Sequence, residues 1–133
     1  MLEMDPSFQR IRLARSIARA TFEYDGLDKK MVDSLVLVTS ELFTNAIEAG
    51  TVARPISVVF TSEPGEAEVR VSNFGPAVEL AVERETRDAD INPRGRGLAI
   101  ADNIGNVKIR HRSQRTTVSV RVATSSESWL CSN

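Results

Sequence analysis

Leu37-Val38-Thr39-Ser40-Glu41-Leu42-Phe43-Thr44-Asn45-Ala46 is the segment on which the fold turns. Around it Met31, Leu35, Val38, Leu42 and Ala46 recur at helical steps and form one apolar stripe. Asp28 is placed to cap the start of this helix, and Gly50 to supply the left-handed residue that ends it. Glu41 and Asn45 lie one turn apart, so their side chains leave the same face. They flank the stripe, at the margin of the buried face, where a carboxylate and an amide can serve one small volume. Taken alone, such a pair is common on solvated helix surfaces.

Upstream, Asp5-Pro6 is expected to open a first amphipathic helix, with Asp5 as N-cap and Pro6 at the first helical position. Ile11, Ala14, Ile17 and Ala18 make its apolar face, and it ends near Gly26. No strand signal precedes it, so the sheet is expected to lack a leading strand. Downstream the period changes to two. Ile56, Val58 and Phe60 alternate with Ser57 and Val59; Glu63-Pro64-Gly65-Glu66 is a turn; Val69 and Val71 continue a second strand. Residues 76–94 are charged and carry no sustained apolar period, which reads as a long loop of functional type. Gly95-Arg96-Gly97 opens a short helix over 98–104, stopped by Gly105. Two closing strands follow, around Val107 and Ile109 and around Val118, Val120 and Val122, joined near Ser113-Gln114-Arg115. The order predicts an α+β fold, a two-layer α/β sandwich with helices on one face of a mostly antiparallel sheet.

The 133 residues leave room for one core and one principal site. A single cysteine, Cys131, forms no internal disulfide, and no Cys/His group has zinc spacing. With Lys+Arg of 17 against Asp+Glu of 18, the net charge is −1 and the pI about 5.9, which speaks against a direct nucleic-acid binder. No apolar run is long enough to span a bilayer, and the acidic N-terminus is unlike a signal peptide, so a cytoplasmic protein without a membrane role is expected. His111, the sole histidine, falls in a closing strand beside Val107 and Ile109 and reads as a packed or edge side chain, not a phosphoacceptor.

Two further elements could carry chemistry. Val71-Ser72-Asn73-Phe74-Gly75-Pro76 runs from a strand into a Gly-Pro turn, where a flat ligand can approach the backbone. Arg94-Gly95-Arg96-Gly97-Leu98 brackets a helix start with glycines, and the N–H groups exposed there favour an anion such as phosphate.

Taken in order with the Ser40-Glu41-Leu42-Phe43-Thr44-Asn45-Ala46 helix and the final Arg115-Thr116-Thr117-Val118, these elements resemble the nucleotide-binding boxes of the ATPase superfamily shared by gyrase, a heat-shock chaperone, histidine kinases and mismatch-repair proteins. The resemblance is strongest to the bacterial anti-sigma-factor serine/threonine-protein kinases and spans roughly residues 29–122. It implies a Bergerat-type ATP-binding domain over residues 1–123, with a lid at about 76–94, and a Ser-rich tail over 124–133 that carries Trp129. It further implies ATP and Mg2+ as cofactors, Asn45 as the magnesium ligand and Glu41 as general base. Asn73 and Thr116 would meet the adenine, with Gly75 allowing its approach. Gly95, Arg96, Gly97 and Leu98 would surround the phosphates. The implied partners are a sigma factor and an anti-anti-sigma protein of STAS type, with a homodimer as the assembly.

Some positions depart from the family pattern. Asn73 stands where the pattern has aspartate, Ala77 and Arg115 where it has glycine, and Ala49 where it has histidine. A neutral amide at Asn73 gives up the charge-assisted bond to an adenine amine, which weakens nucleotide binding by something like tenfold. The alternative is therefore a regulatory interaction module of the same fold, binding a sigma factor or its antagonist without kinase activity.

Overall fold

The computed structural model describes residues 1–49, 54–74 and 104–123. Along the chain these form β1 (Leu2–Met4), α1 (Gln9–Tyr24), α2 (Lys29–Ala49), β2 (Ile56–Glu63), β3 (Glu66–Phe74), β4 (Asn106–Arg112) and β5 (Arg115–Ala123). The strands make one five-stranded antiparallel sheet in the order β1-β2-β3-β5-β4, and both helices cover one of its faces. This is the two-layer α+β architecture that the alternation of periods predicts.

The start of the chain departs from expectation. Leu2, Glu3 and Met4 pair with Val58, Ser57 and Ile56, so a leading strand does exist. Its apolar–acidic–apolar alternation is real but only three residues long, too short to register as a period. Asp5 does not cap α1: the helix starts at Gln9, after Phe8, with no side-chain cap. The intervening residues turn the chain from the sheet edge to the helical layer, with Ser7 N–H bonding Asp5 C=O at 2.8 Å. α2 follows its forecast start: Asp28 Oδ1 accepts from Met31 N–H at 2.8 Å. Gly50, its expected stop, lies outside the described residues.

The α2 stripe does what its spacing requires. Leu35, Val38, Leu42 and Ala46 are buried, and α2 makes its main sheet contact with β3. Opposite them stand the alternate residues of the sheet: Ile56 and Val58, then Ala67, Val69 and Val71, then Val118, Val120 and Val122. Phe22 of α1 is fully buried and meets Phe60 edge-to-face, centroids 5.6 Å apart. Each such side chain contributes roughly 1.5–3 kcal/mol on leaving water. Outside the core, Asp33 of α2 accepts from Lys29 and from Arg19 of α1, both at 3.0 Å, clipping the two helices together.

Both hairpins turn where the sequence places them. Pro64 fixes its own φ, and Gly65 takes φ +95°, the pairing of a type II turn. Between β4 and β5, Ser113 and Gln114 both adopt positive φ, 54° and 67°, the signature of a type I′ turn without its usual Asn or Gly. At Gly105 a Cβ would meet the Arg121 carbonyl oxygen at 2.5 Å, so the start of β4 tolerates only glycine there. Of the predicted helix over 98–104, only Ile104 lies within the described residues. The loop 76–94 and the tail 124–133 with Trp129 and Cys131 lie outside them.

Candidate functional site

Sheet register builds one side of the site. Along β3 the residues that face the helices are Ala67, Val69, Val71 and then Asn73; along β5 they are Val122, Val120, Val118 and then Thr116. Asn73 is the direct cross-strand partner of Thr116, and Thr116 that of His111 on β4. The last row of the helix-covered face is therefore polar, Asn73–Thr116–His111, where the preceding row is Val71–Val118–Ile109. Asn73 and Thr116 are buried, 4% and 1% exposed. The Thr116 hydroxyl lies 2.8 Å from His111 Nδ1. His111 thus belongs to an edge strand, as expected, but it also fixes the hydroxyl of a predicted site residue. Sequence reasoning missed that link because it depends on which two strands pair.

The helical side is supplied by α2. Thr39 and Asn45 are its two buried polar residues, and they are treated differently. Thr39 Oγ1 donates to the Leu35 carbonyl at 2.8 Å, so its burial is compensated within the helix. Asn45 is 3% exposed, and neither its Oδ1 nor its Nδ2 has a hydrogen-bond partner among the described residues. An orphaned buried amide costs about 1–3 kcal/mol, so it marks a position kept for something other than stability. This corrects the expectation that Asn45 sits at the margin of the buried face: it is inside, while Glu41 is the marginal one, half-buried one turn earlier. Burial, and secondarily the Glu48 carboxylate, push the Glu41 carboxyl above its ordinary value of 4.5. A carboxylate destabilised in this way is a readier proton acceptor.

Of the predicted site residues, Glu41 and Asn45 lie one turn apart on α2, and Asn73 and Thr116 are direct cross-strand partners at the ends of β3 and β5. Gly75, Gly95, Arg96, Gly97 and Leu98 lie outside the described residues. Among the described residues no His, Cys, Asp and Glu group could hold a metal. A single amide oxygen with no other obligation fits a hard cation that takes its remaining ligands from phosphate and water. Arg115, beside Thr116, projects from the opposite face of the sheet, where Phe74 is its cross-strand neighbour.

A match to the histidine kinase-like ATPase domain spans residues 4–122, nearly the whole chain. The chain belongs to that family. Among solved structures, the SiaB–SiaC complex from Pseudomonas aeruginosa contains a similar chain, with a TM-score of 0.65 and 14% identity over 92% of this chain and 88% of that one. At that identity the likeness concerns the fold. No functionally curated protein matches the sequence. Among the described residues no helix is long and apolar enough to cross a membrane.

Proposed function

We propose that this protein is an ATP-dependent protein-serine kinase of the anti-sigma-factor type, which phosphorylates an anti-anti-sigma partner of STAS type and sequesters a sigma factor. The observation that carries the reading is Asn45, a buried amide whose oxygen and nitrogen are both unpartnered among the described residues, one turn from a carboxylate held above its ordinary pKa. In this reading Asn45 Oδ1 holds Mg2+, which when bound supplies positive charge to the ATP phosphates. Glu41 accepts the proton of the partner's serine hydroxyl as the serine Oγ–phosphorus bond forms. The bond from the γ-phosphorus to the bridging oxygen of ADP breaks, and ADP leaves with that electron pair. The chain's contribution is positioning and charge placement. Asn73 and Thr116 take the adenine edge, Asn73 accepting through its carbonyl oxygen. Gly75, Gly95, Arg96, Gly97 and Leu98 are assigned to the base and phosphates on sequence grounds. A homodimer is the assembly this reading expects. The similar chain in the SiaB–SiaC complex is held by a protein partner, which supports a partner-directed role.

A neutral Asn73 favours a second reading, an interaction module of the same fold without kinase activity. Calorimetric titration with Mg-ATP separates the two. The kinase reading expects binding that Asn45→Ala weakens strongly and Glu41→Ala leaves nearly intact, with serine phosphate on a STAS-domain partner, detected by mass spectrometry, lost in Glu41→Ala. Absence of heat and of any thermal shift at millimolar nucleotide establishes the second reading. Asn73→Asp should tighten binding about tenfold; unchanged affinity removes Asn73 from the adenine edge.

A further inference from the structure

The sheet face turned away from the helices carries two groups of arginines in opposite circumstances. Towards the β2–β3 turn, Arg70 and Arg121 are neutralised. Buried Glu68 accepts from Arg70 at 2.9 Å and from Arg121 at 3.3 Å, and Glu66 pairs with Arg121 at 3.3 Å. Beside the β4–β5 turn, Arg110, Arg112 and Arg115 are exposed and have no carboxylate partner among the described residues. Strand register sets Arg112 directly opposite Arg115, and Arg110 is the next residue on the same side of β4. Side chains so placed stand about 5 Å apart across the strands and about 7 Å apart along one. Like charges directly opposite each other destabilise a sheet, so this end is built against its own repulsion.

These three guanidiniums line one cavity of about 710 Å³, together with Ser113, Thr117 and half-buried Phe74. That volume falls within the range of small-ligand sites, about 300–1,000 Å³. No Asp or Glu among the described residues lines it. Phe74 is the cross-strand neighbour of Arg115 and supplies an apolar wall, its ring covered by the Arg54 guanidinium 4.4 Å from the centroid. The Thr117 hydroxyl is held 2.9 Å from that of Ser72. The cavity thus combines concentrated positive charge, a positioned hydroxyl and one apolar side.

We propose that this cavity on the outer face of the sheet binds a compact diphosphate group, free or as a small ester, clamped by Arg110, Arg112 and Arg115. Guanidinium forks match phosphate oxygens two at a time, and two linked phosphates offer enough oxygens for three forks within one small volume. An extended acidic peptide suits the cavity less well, because its same-side carboxylates repeat about 7 Å apart and a cross-strand pair of arginines is closer than that. A nucleic acid would meet a chain of net charge −1 and, along the same face, the carboxylates of Glu63 and Glu66. None of the residues assigned to ATP takes part, so the proposal stands apart from the kinase reading.

Calorimetric titration of the full chain with inorganic pyrophosphate, in the presence of a chelator, tests it. Saturable binding is expected, weakening with added salt and falling by at least about tenfold in Arg112→Gln/Arg115→Gln. Arg110→Gln alone, away from the turn, should lower it several-fold, and thermal melts verify that both variants fold. Arg12→Gln on α1 should leave binding unchanged. Phenyl diphosphate identifies the source: tighter binding that Phe74→Ala abolishes assigns an ester lying on the ring, and equal binding assigns the free diphosphate. Absence of binding, orthophosphate binding as tightly as pyrophosphate, or an equal loss in Arg12→Gln overturns the proposal. So does binding that survives in Arg112→Gln/Arg115→Gln, which would place the anion elsewhere on the chain. Tighter binding of a Glu-rich peptide or a single-stranded oligonucleotide through the same arginines also overturns it and makes the face a macromolecular surface.

Discussion

On the helix-covered face of the sheet, the middle and the end of the same strands are built from opposite materials. Val69 and Val71 of β3 stand beside Val120 and Val118 of β5, all four essentially inaccessible, under Leu35, Val38 and Leu42 of α2. Two residues further along each strand the pair is Asn73 and Thr116, also buried, and towards its own C-terminal end α2 buries Asn45, an amide with no partner among the described residues. Burial is the same in both regions while its compensation differs. In the middle, leaving water is the gain itself. At the end, polar groups have lost water and only some have recovered a bond, Thr116 through His111 but Asn45 through nothing among the described residues. Folding does not reward that arrangement, which is why the polar end, not the larger apolar middle, is where a ligand is expected.

Truncating one side chain from each region of α2 breaks or upholds this contrast. Leu42→Ala removes a buried side chain from a packed layer and should cost about 2–5 kcal/mol in urea unfolding. Asn45→Ala also shortens a buried side chain on the same helix, yet it should raise the stability of the ligand-free protein by about 1 kcal/mol. It deletes two unsatisfied groups and gains helix propensity. The gain should invert once Mg-ATP is added, because wild type alone is then stabilised by binding. Equal losses for both variants would mean that Asn45 is ordinary core.

The contrast also explains what was legible in the sequence. The strand periods, the apolar periods of α1 and α2, both hairpin turns and the Asp28 cap are local signals, and each appears in the structure where the residues place it, although α1 starts at Gln9 and not at Asp5-Pro6. β1 was not legible, since three residues do not establish a period and their strand character comes from pairing with Val58 and Ile56. The type and spacing of Glu41 and Asn45 were readable, but not which of the two is buried. That depends on how far around α2 the neighbouring layers reach. The Asn73–Thr116–His111 row is a product of register between strands distant in sequence, which no local pattern encodes.

Thr116→Val probes that row at a smaller scale. It keeps the shape and removes the hydroxyl that meets His111 Nδ1, so it should cost about 1 kcal/mol, measured by thermal unfolding. In a double-mutant cycle with His111→Ala the two losses should not add, because either change deletes the same bond. Additive losses would show that Thr116 and His111 stabilise the end of the sheet separately, and the polar row would then be a coincidence of register.

The smallest effect expected is the pH response of Glu41, and its sign distinguishes a site carboxylate from an ion-paired one. Burial and then Glu48 raise its folded pKa above 4.5, so the native state holds its proton to higher pH than the unfolded chain does. The stability that goes with the protonated form is complete below 4.5 and is lost as pH rises through the folded pKa. Asp33 behaves oppositely. Its hydrogen bonds from Lys29 and Arg19 lower its folded pKa from 3.8, so its contribution is present above 3.8 and lost as pH falls. The two windows do not overlap, and a melting profile across the acidic range separates them. Glu41→Gln should flatten only the upper window, whereas Glu48→Gln should narrow it without removing it, because burial is the larger cause. A carboxyl carbon titration by NMR reads the same quantity directly. If Glu41 titrates at or below 4.5 there, its carboxylate is an ordinary solvated one, and the case for it as the proton acceptor loses its electrostatic support.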